Sequence, residues 1–220
     1  ESPPRALDLD GDGHIDRAYL VDSKGGLWRF DFVRAESPAE LASARRIARL
    51  GDGSQQFQAS PDVSIARLEG RNHIAIAVGS GRLDRPHDAA TVDRAYVIFD
   101  RGRAEELAEQ DLHDATDRES AMPPTAPGWY LRLDRHGAGE KVAGSGLTFD
   151  HVLRIQKYQP LPQAAEAPCG PPRAVHGRYA RDIRTGLPAA HVERPDDSEE
   201  MEMEATGLPP ALRYAFPRPV

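Results

Sequence analysis

Apolar and polar residues alternate with a period of two along much of the chain, which is the pattern of strands with one face turned to a core. The clearest case is Leu27-Trp28-Arg29-Phe30-Asp31-Phe32, preceded by β-type residues from Arg17 and a turn at Asp22-Ser23-Lys24-Gly25-Gly26. This predicts a hairpin over Arg17–Phe32. Val63–Leu68 and His73–Val78, separated by Glu69-Gly70-Arg71-Asn72, predict a second hairpin. Ala95-Tyr96-Val97-Ile98-Phe99 is a continuous apolar run inside Asp93–Asp100, the signature of a strand buried on both faces. Further strands are expected at Gly128–Asp134, Lys141–Ala143, Leu147–Phe149, His151–Tyr158 and Arg178–Ile183, with a turn at His136-Gly137-Ala138-Gly139.

Two stretches break the alternation. In Ala35–Arg49, Ser37 reads as an N-cap with Pro38 at the first helical position, so a short helical turn or irregular connection is expected. Arg103–Leu112 sets Leu107 and Leu112 among good helix formers, predicting one helix of about three turns. Asp114–Pro127 and the Pro/Ala-rich Pro160–Pro172, which holds Cys169, read as loops. Glu193–Glu204 is overwhelmingly acidic and the chain ends Pro-rich, so residues 193–220 are set apart as a tail from a domain over 1–192.

One β unit recurs: a strand ending in Asp, a short Gly turn, and an alternating strand ending in Asp again. It appears around Val21–Asp31, Ala95–Gly102, Trp129–Asp134 and Tyr179–Gly186. Recurrence every roughly 40–50 residues is the mark of a β-propeller, whose blades bury their faces only against neighbouring blades. The strand count of about a dozen makes about three blades at four strands each, too few to close a ring. The fold class is therefore mainly β, a partial propeller of about three blades with one short helical insertion.

Composition narrows the function. A net charge of −7, without a basic stripe, argues against a nucleic-acid surface. The longest apolar runs fall far short of the roughly 20 residues of a membrane span. The chain opens at Glu1 without Met, which reads as a processed product or an excised piece of a longer protein.

The most specific chemistry lies at Asp8-Leu9-Asp10-Gly11-Asp12-Gly13-His14-Ile15-Asp16. Carboxylates stand at positions 1, 3, 5 and 9 of an EF-hand-like calcium loop, with Gly13 at position 6, where the chain must bend sharply. Asp8, Asp10, Asp12 and Asp16, with the backbone carbonyl of His14 at position 7, supply the hard oxygen donors that Ca2+ prefers. Position 12 of the hand is Tyr19 instead of a bidentate Glu, so Asp16 must take that role, and a β-hairpin follows instead of a helix. Asp and Gly also build solvated turns, but turn chemistry does not require an acid at every alternate position.

These residues resemble the C-terminal β-propeller of the PilY/PilC-type type IV pilus biogenesis factors and tip adhesins. The likeness rests on the calcium loop running into Arg17-Ala18-Tyr19, Asp22 and Gly25-Gly26-Leu27-Trp28-Arg29-Phe30-Asp31. It continues in Ala75–Arg82 with its Gly79-Ser80-Gly81 turn, in Ala95–Asp100, in an insertion with Leu107 and Gln110-Asp111-Leu112, and in Gly128–Leu133. It departs where Cys169 stands without the partner cysteine that often accompanies that loop, and no Arg-Gly-Asp motif occurs. The resemblance implies a calcium-binding module at a pilus tip, on the cell surface or periplasmic. Its partners would be the N-terminal part of a parent protein, minor pilins and a host or abiotic surface, and calcium would tune pilus extension or retraction.

An extracellular calcium-stabilised propeller enzyme or a lectin-like module is the alternative, since fold alone does not set function. No His-x3-His or Cys-x2-Cys pair, phosphate-binding loop or Gly-x-Ser-x-Gly elbow occurs. Trp28, Phe30, Trp129 and Tyr130 are candidates for sugar stacking, although strand aromatics more often fill a core. His113, Asp114 and Asp117 are a second cation candidate, although a helix end with solvated charge is the better account of them.

Overall fold

The computed structural model describes residues 2–34, 37, 40–117, 119–135, 137–161, 173–189 and 203–213. Cys169, His136 and most of the 193–220 stretch lie outside these residues.

Alternation becomes three sheets, antiparallel except for the two short edge strands at Leu107–Ala108 and His113–Asp114. Sheet 1 is a meander of β1 (Arg5–Leu7), β2 (Arg17–Val21), β3 (Gly26–Phe32) and β4 (Ala42–Arg49). Sheet 2 begins with β5 (Asp62–Leu68), β6 (Arg71–Gly79) and β7 (Arg94–Asp100). The chain then makes β8 (Leu107–Ala108), which joins the edge of β4, and β9 (His113–Asp114), before β10 (Gly128–Arg132) pairs with β7. β9 lies parallel on the outer side of β10, so the short strap from β8 to β9 binds the outer edges of sheets 1 and 2. Sheet 3 holds β11 (Lys141–Val142), β12 (Leu147–Phe149), β13 (Val152–Pro160), β14 (Arg173–Asp182) and β15 (Met203–Thr206). β15, within the stretch read as tail, pairs with β14.

Two expectations are corrected. Arg103–Leu112 is not a helix: β8 is followed by a single 3-10 turn, Glu109–Asp111. Leu107 and Leu112 are both buried, but they pack into the seam between sheets 1 and 2, and edge pairing with β4 overrides helix propensity. Ala42–Arg49 is likewise a strand, paired with β3 through a bulge between Leu27 and Trp28.

Sheet 2 is the middle layer, and period two divides its residues between two cores. Ile76, Val78, Tyr96 and Ile98 face sheet 1, where they meet Tyr19, Val21, Leu27 and Ile47. Ala75, Ala77, Val97, Phe99 and Trp129 face sheet 3 and meet Leu153, Ile155, Tyr179 and Ile183. This two-sided burial is why β7 reads as an unbroken apolar run. The small residues also have a reason. A Cβ on Gly79 would strike the Val142 side chain, and one on Gly128 would press into the Val97 carbonyl. Close backbone approach therefore explains the Gly79-Ser80-Gly81 turn, where Val142 N–H donates to Ser80 O at 3.0 Å.

Candidate metal centre

The acidic loop joins β1 to β2, two strands that pair directly, Leu7 opposite Arg17. Asp16 N–H donates to Leu7 O at 2.9 Å, closing the loop, and Asp16 O accepts from Phe32 N–H at 2.8 Å, tying it to the end of β3. Within the loop, backbone N–H groups hold the carboxylates. Asp8 accepts from Gly11 at 2.6 Å and Gly13 at 2.8 Å, and Asp16 Oδ2 accepts from Leu9 at 2.6 Å. Asp10 accepts from the Asp12 N–H at 3.1 Å. Gly11 and Gly13 have φ of 81° and 86°, the left-handed region where a side chain is strained; nothing crowds either position, so conformation alone calls for glycine.

Oxygens of Asp8, Asp10 and Asp16 come within 4.8 Å of one another. Asp12 turns elsewhere. Its Oδ2 accepts from Arg34 at 2.9 Å, and its Oδ1 takes the His14 N–H at 2.9 Å and lies 3.1 Å from His14 Nδ1. That contact raises the His14 pKa, through hydrogen bonding and then the Asp12 charge. Asp8 is held below the ordinary carboxylate range, first by the Gly13 N–H and then by that of Gly11, and so stays ionised. Three carboxylates converge on an exposed loop, a hard-oxygen donor set of the kind that a divalent cation takes.

Tyr19, at position 12 of the loop pattern, is fully buried and directed away from the carboxylates. Its hydroxyl donates to Asp100 Oδ2 at 2.6 Å, across the seam to sheet 2. Arg29 Nη1 donates to the two Asp100 oxygens at 3.2 and 3.1 Å, while Arg17 and Arg29 each place Nε 2.7 Å from Asp31. This cluster begins at the residue after Asp16. Sequence reasoning missed it, although Arg29 and Asp31 at alternate positions on one strand face were a visible signal.

The other candidates separate. Trp129 is fully buried and its Nε1 donates to Ile183 O, whereas Trp28 binds Asp22 and lies under the Arg46 guanidinium at 5.6 Å. Tyr130 donates to Asp114, and Phe30 lies on the outer face of sheet 1, so the four aromatics form no common platform. His113 Nε2 lies 3.0 Å from Ser120 O, and Asp114 and Asp117 accept from local backbone N–H groups.

No family model matches the chain. Over 84% of its length it is 25% identical to the type IV pilus biogenesis factor PilY1 of Pseudomonas aeruginosa, in strains PAO1 and PAK alike. The crystal structure of the P. aeruginosa PilY1 C-terminal domain superposes with a TM-score of 0.67 at 20% identity, covering 94% of this chain and 55% of that one. The chain therefore has the fold of that PilY1 C-terminal domain. It spans only 20% of the length of the PilY1 sequences it matches. No helix among its described residues is long and apolar enough to cross a membrane.

Proposed function

We propose that the chain is a calcium-binding module of a type IV pilus biogenesis factor, acting at the cell surface in pilus assembly, extension and retraction, and adhesion. The observation that carries this reading is the convergence of Asp8, Asp10 and Asp16 on a glycine-bent loop. The similarity to PilY1 supplies the pilus context. Asp8, Asp10 and Asp16 would hold the ion, with the His14 carbonyl as a further donor and Asp12 joining if it exchanges Arg34 for the metal. Calcium there would neutralise crowded charge and fix the point where β2 begins.

On the same reading the three sheets are successive blades of an incomplete propeller. The outer face of sheet 1 supports this, since Ala18, Leu20, Phe30 and Phe32 make it apolar. A further sheet from the N-terminal part of a parent protein would cover that face. Minor pilins and an external surface are the remaining partners of the proposal.

Calcium titration calorimetry paired with melting in chelator tests the ion. Binding should stabilise the fold by about 2.7 kcal/mol at a hundredfold excess over Kd. Magnesium should substitute poorly, because it demands near-octahedral geometry and keeps its waters. Asp16→Ala should abolish the heat, and Asp12→Ala should be milder. Absence of binding heat with an unchanged melting midpoint would reduce the loop to a solvated turn.

A further inference from the structure

Between β7 and β8 the chain crosses from sheet 2 to sheet 1, and a notch opens where this crossing diverges from β4. Arg45, Ile47, Arg101 and Arg103 line it, together with Asp100 and Glu105. The charges in it do not balance. Asp100 is committed to Tyr19, Arg29 and the Gly102 N–H. Arg45 stands directly opposite Arg29 in the β3–β4 register, where like charges repel, yet neither Arg45 nor Arg103 makes an ion pair with any described residue. Arg101 donates to the carbonyls of Pro124 and Thr125, and its Nε is buried without a partner. Burial, and then the Arg103 charge, lowers the Arg101 pKa; burial followed by Arg101 and Arg71 lowers that of His73. Glu105 is the one carboxylate in the lining left over, and it is exposed. A surplus of positive charge is thus held together in a chain of net charge −7.

An independent observation adjoins it. β8 covers β4 only at Ala48 and Arg49, so among the described residues no strand pairs with the outer edge of β4 from Ala42 to Ile47. An open edge presents unpaired N–H and C=O groups and is a template for an added strand. We propose that this edge and notch together bind an acidic peptide in extended conformation, its backbone added to β4 and its carboxylates paired with Arg45 and Arg103. Alternate residues of a strand lie about 7 Å apart on one face, so acids at every second position would reach successive guanidinium groups. Arginine is suited to this, because its planar fork grips a carboxylate with two parallel hydrogen bonds.

The test is fluorescence anisotropy with a labelled hexapeptide of alternating Glu and Val, against the same peptide with Lys for Glu. The acidic peptide should bind, weaken with added salt, and lose about tenfold in affinity on the double substitution Arg45→Gln, Arg103→Gln. N-methylation of its alternate amides should weaken it similarly. The double variant should melt no lower than the parent protein, since relieving repulsion costs nothing. Equal binding of the two peptides, unchanged affinity in the double variant, or a lowered melting midpoint that makes the arginines structural would each overturn the proposal. So would inorganic phosphate or free glutamate displacing the peptide at equal concentration, which would mean a simple ion site, or indifference to N-methylation.

Discussion

Asp100 is the point where sheets 1 and 2 are tied by charge, and Asp100→Asn removes that charge while keeping the shape. The Asp100 side chain is 4% exposed, and those of Arg29 and Arg17 are 15% and 25% exposed. Leaving a buried charge without its partner costs roughly 3–5 kcal/mol. Here Asp31 still holds both guanidinium groups at 2.7 Å, and water reaches them, so the expected loss is about 2–3 kcal/mol. For a chain of this size that is a fall in melting midpoint of roughly 4–12 °C. Urea denaturation at pH 7 of the parent, Asp100→Asn, Tyr19→Phe and the double variant measures it, and the cycle isolates the bond across the seam. The pH dependence fixes the cause. Burial works to raise the Asp100 pKa, but the Tyr19 hydroxyl, the Gly102 N–H and Arg29 together hold it below the ordinary 3.8. Its contribution is therefore present above that value and is lost as pH falls through the lower folded-state value, so parent and variant should converge in acid. A loss under about 1 kcal/mol at pH 7, with no coupling to Tyr19, would refute the idea that this cluster secures the seam.

Gly128→Ala should destabilise by more than about 3 kcal/mol or prevent soluble folding, because the new Cβ meets the Val97 carbonyl across β7 and β10. Gly102→Ala, at φ 68° in open space, should cost only about 1 kcal/mol by comparison, and melting curves of the pair check the contrast. Asp62→Asn should stabilise the protein at pH 7. Burial raises the Asp62 pKa above 3.8, and its Oδ2 has no hydrogen-bond partner, so the ionised form is a liability that the amide removes. The gain should shrink as pH falls and the native carboxyl protonates, which melting at pH 7 and near pH 3.5 would show.

What could be read from the sequence was what is local. The hairpins at β2–β3 and β5–β6 announced themselves by alternation and Gly turns, and β7 by its apolar run. β4 did not, since Ala-Ser-Ala-Arg-Arg-Ile-Ala-Arg is rich in good helix formers and becomes a strand only by pairing with β3. Leu107 and Leu112 marked burial correctly but not geometry, because the surface that buries them comes from two different sheets. Within the acidic loop, the nearness of Asp8, Asp10 and Asp16 follows from spacing alone. The turning of Asp12 to Arg34, 22 residues away, does not, nor does the reach of Tyr19 to Asp100 across 81 residues.

The strap from β8 to β9 has a consequence for how the molecule comes apart. Outer strands of independent sheets ordinarily fray one at a time, each with its own opening equilibrium. Here a single eight-residue crossing, Leu107–Asp114, is hydrogen-bonded to β4 at one end and β10 at the other. Glu109 near its middle accepts from the buried Tyr96 hydroxyl. Neither outer strand can open fully while the crossing holds, and its release frees both, so sheets 1 and 2 behave as one cooperative foldon. Sheet 3 has no such crossing among the described residues, and amide hydrogen exchange should find β15 opening without them.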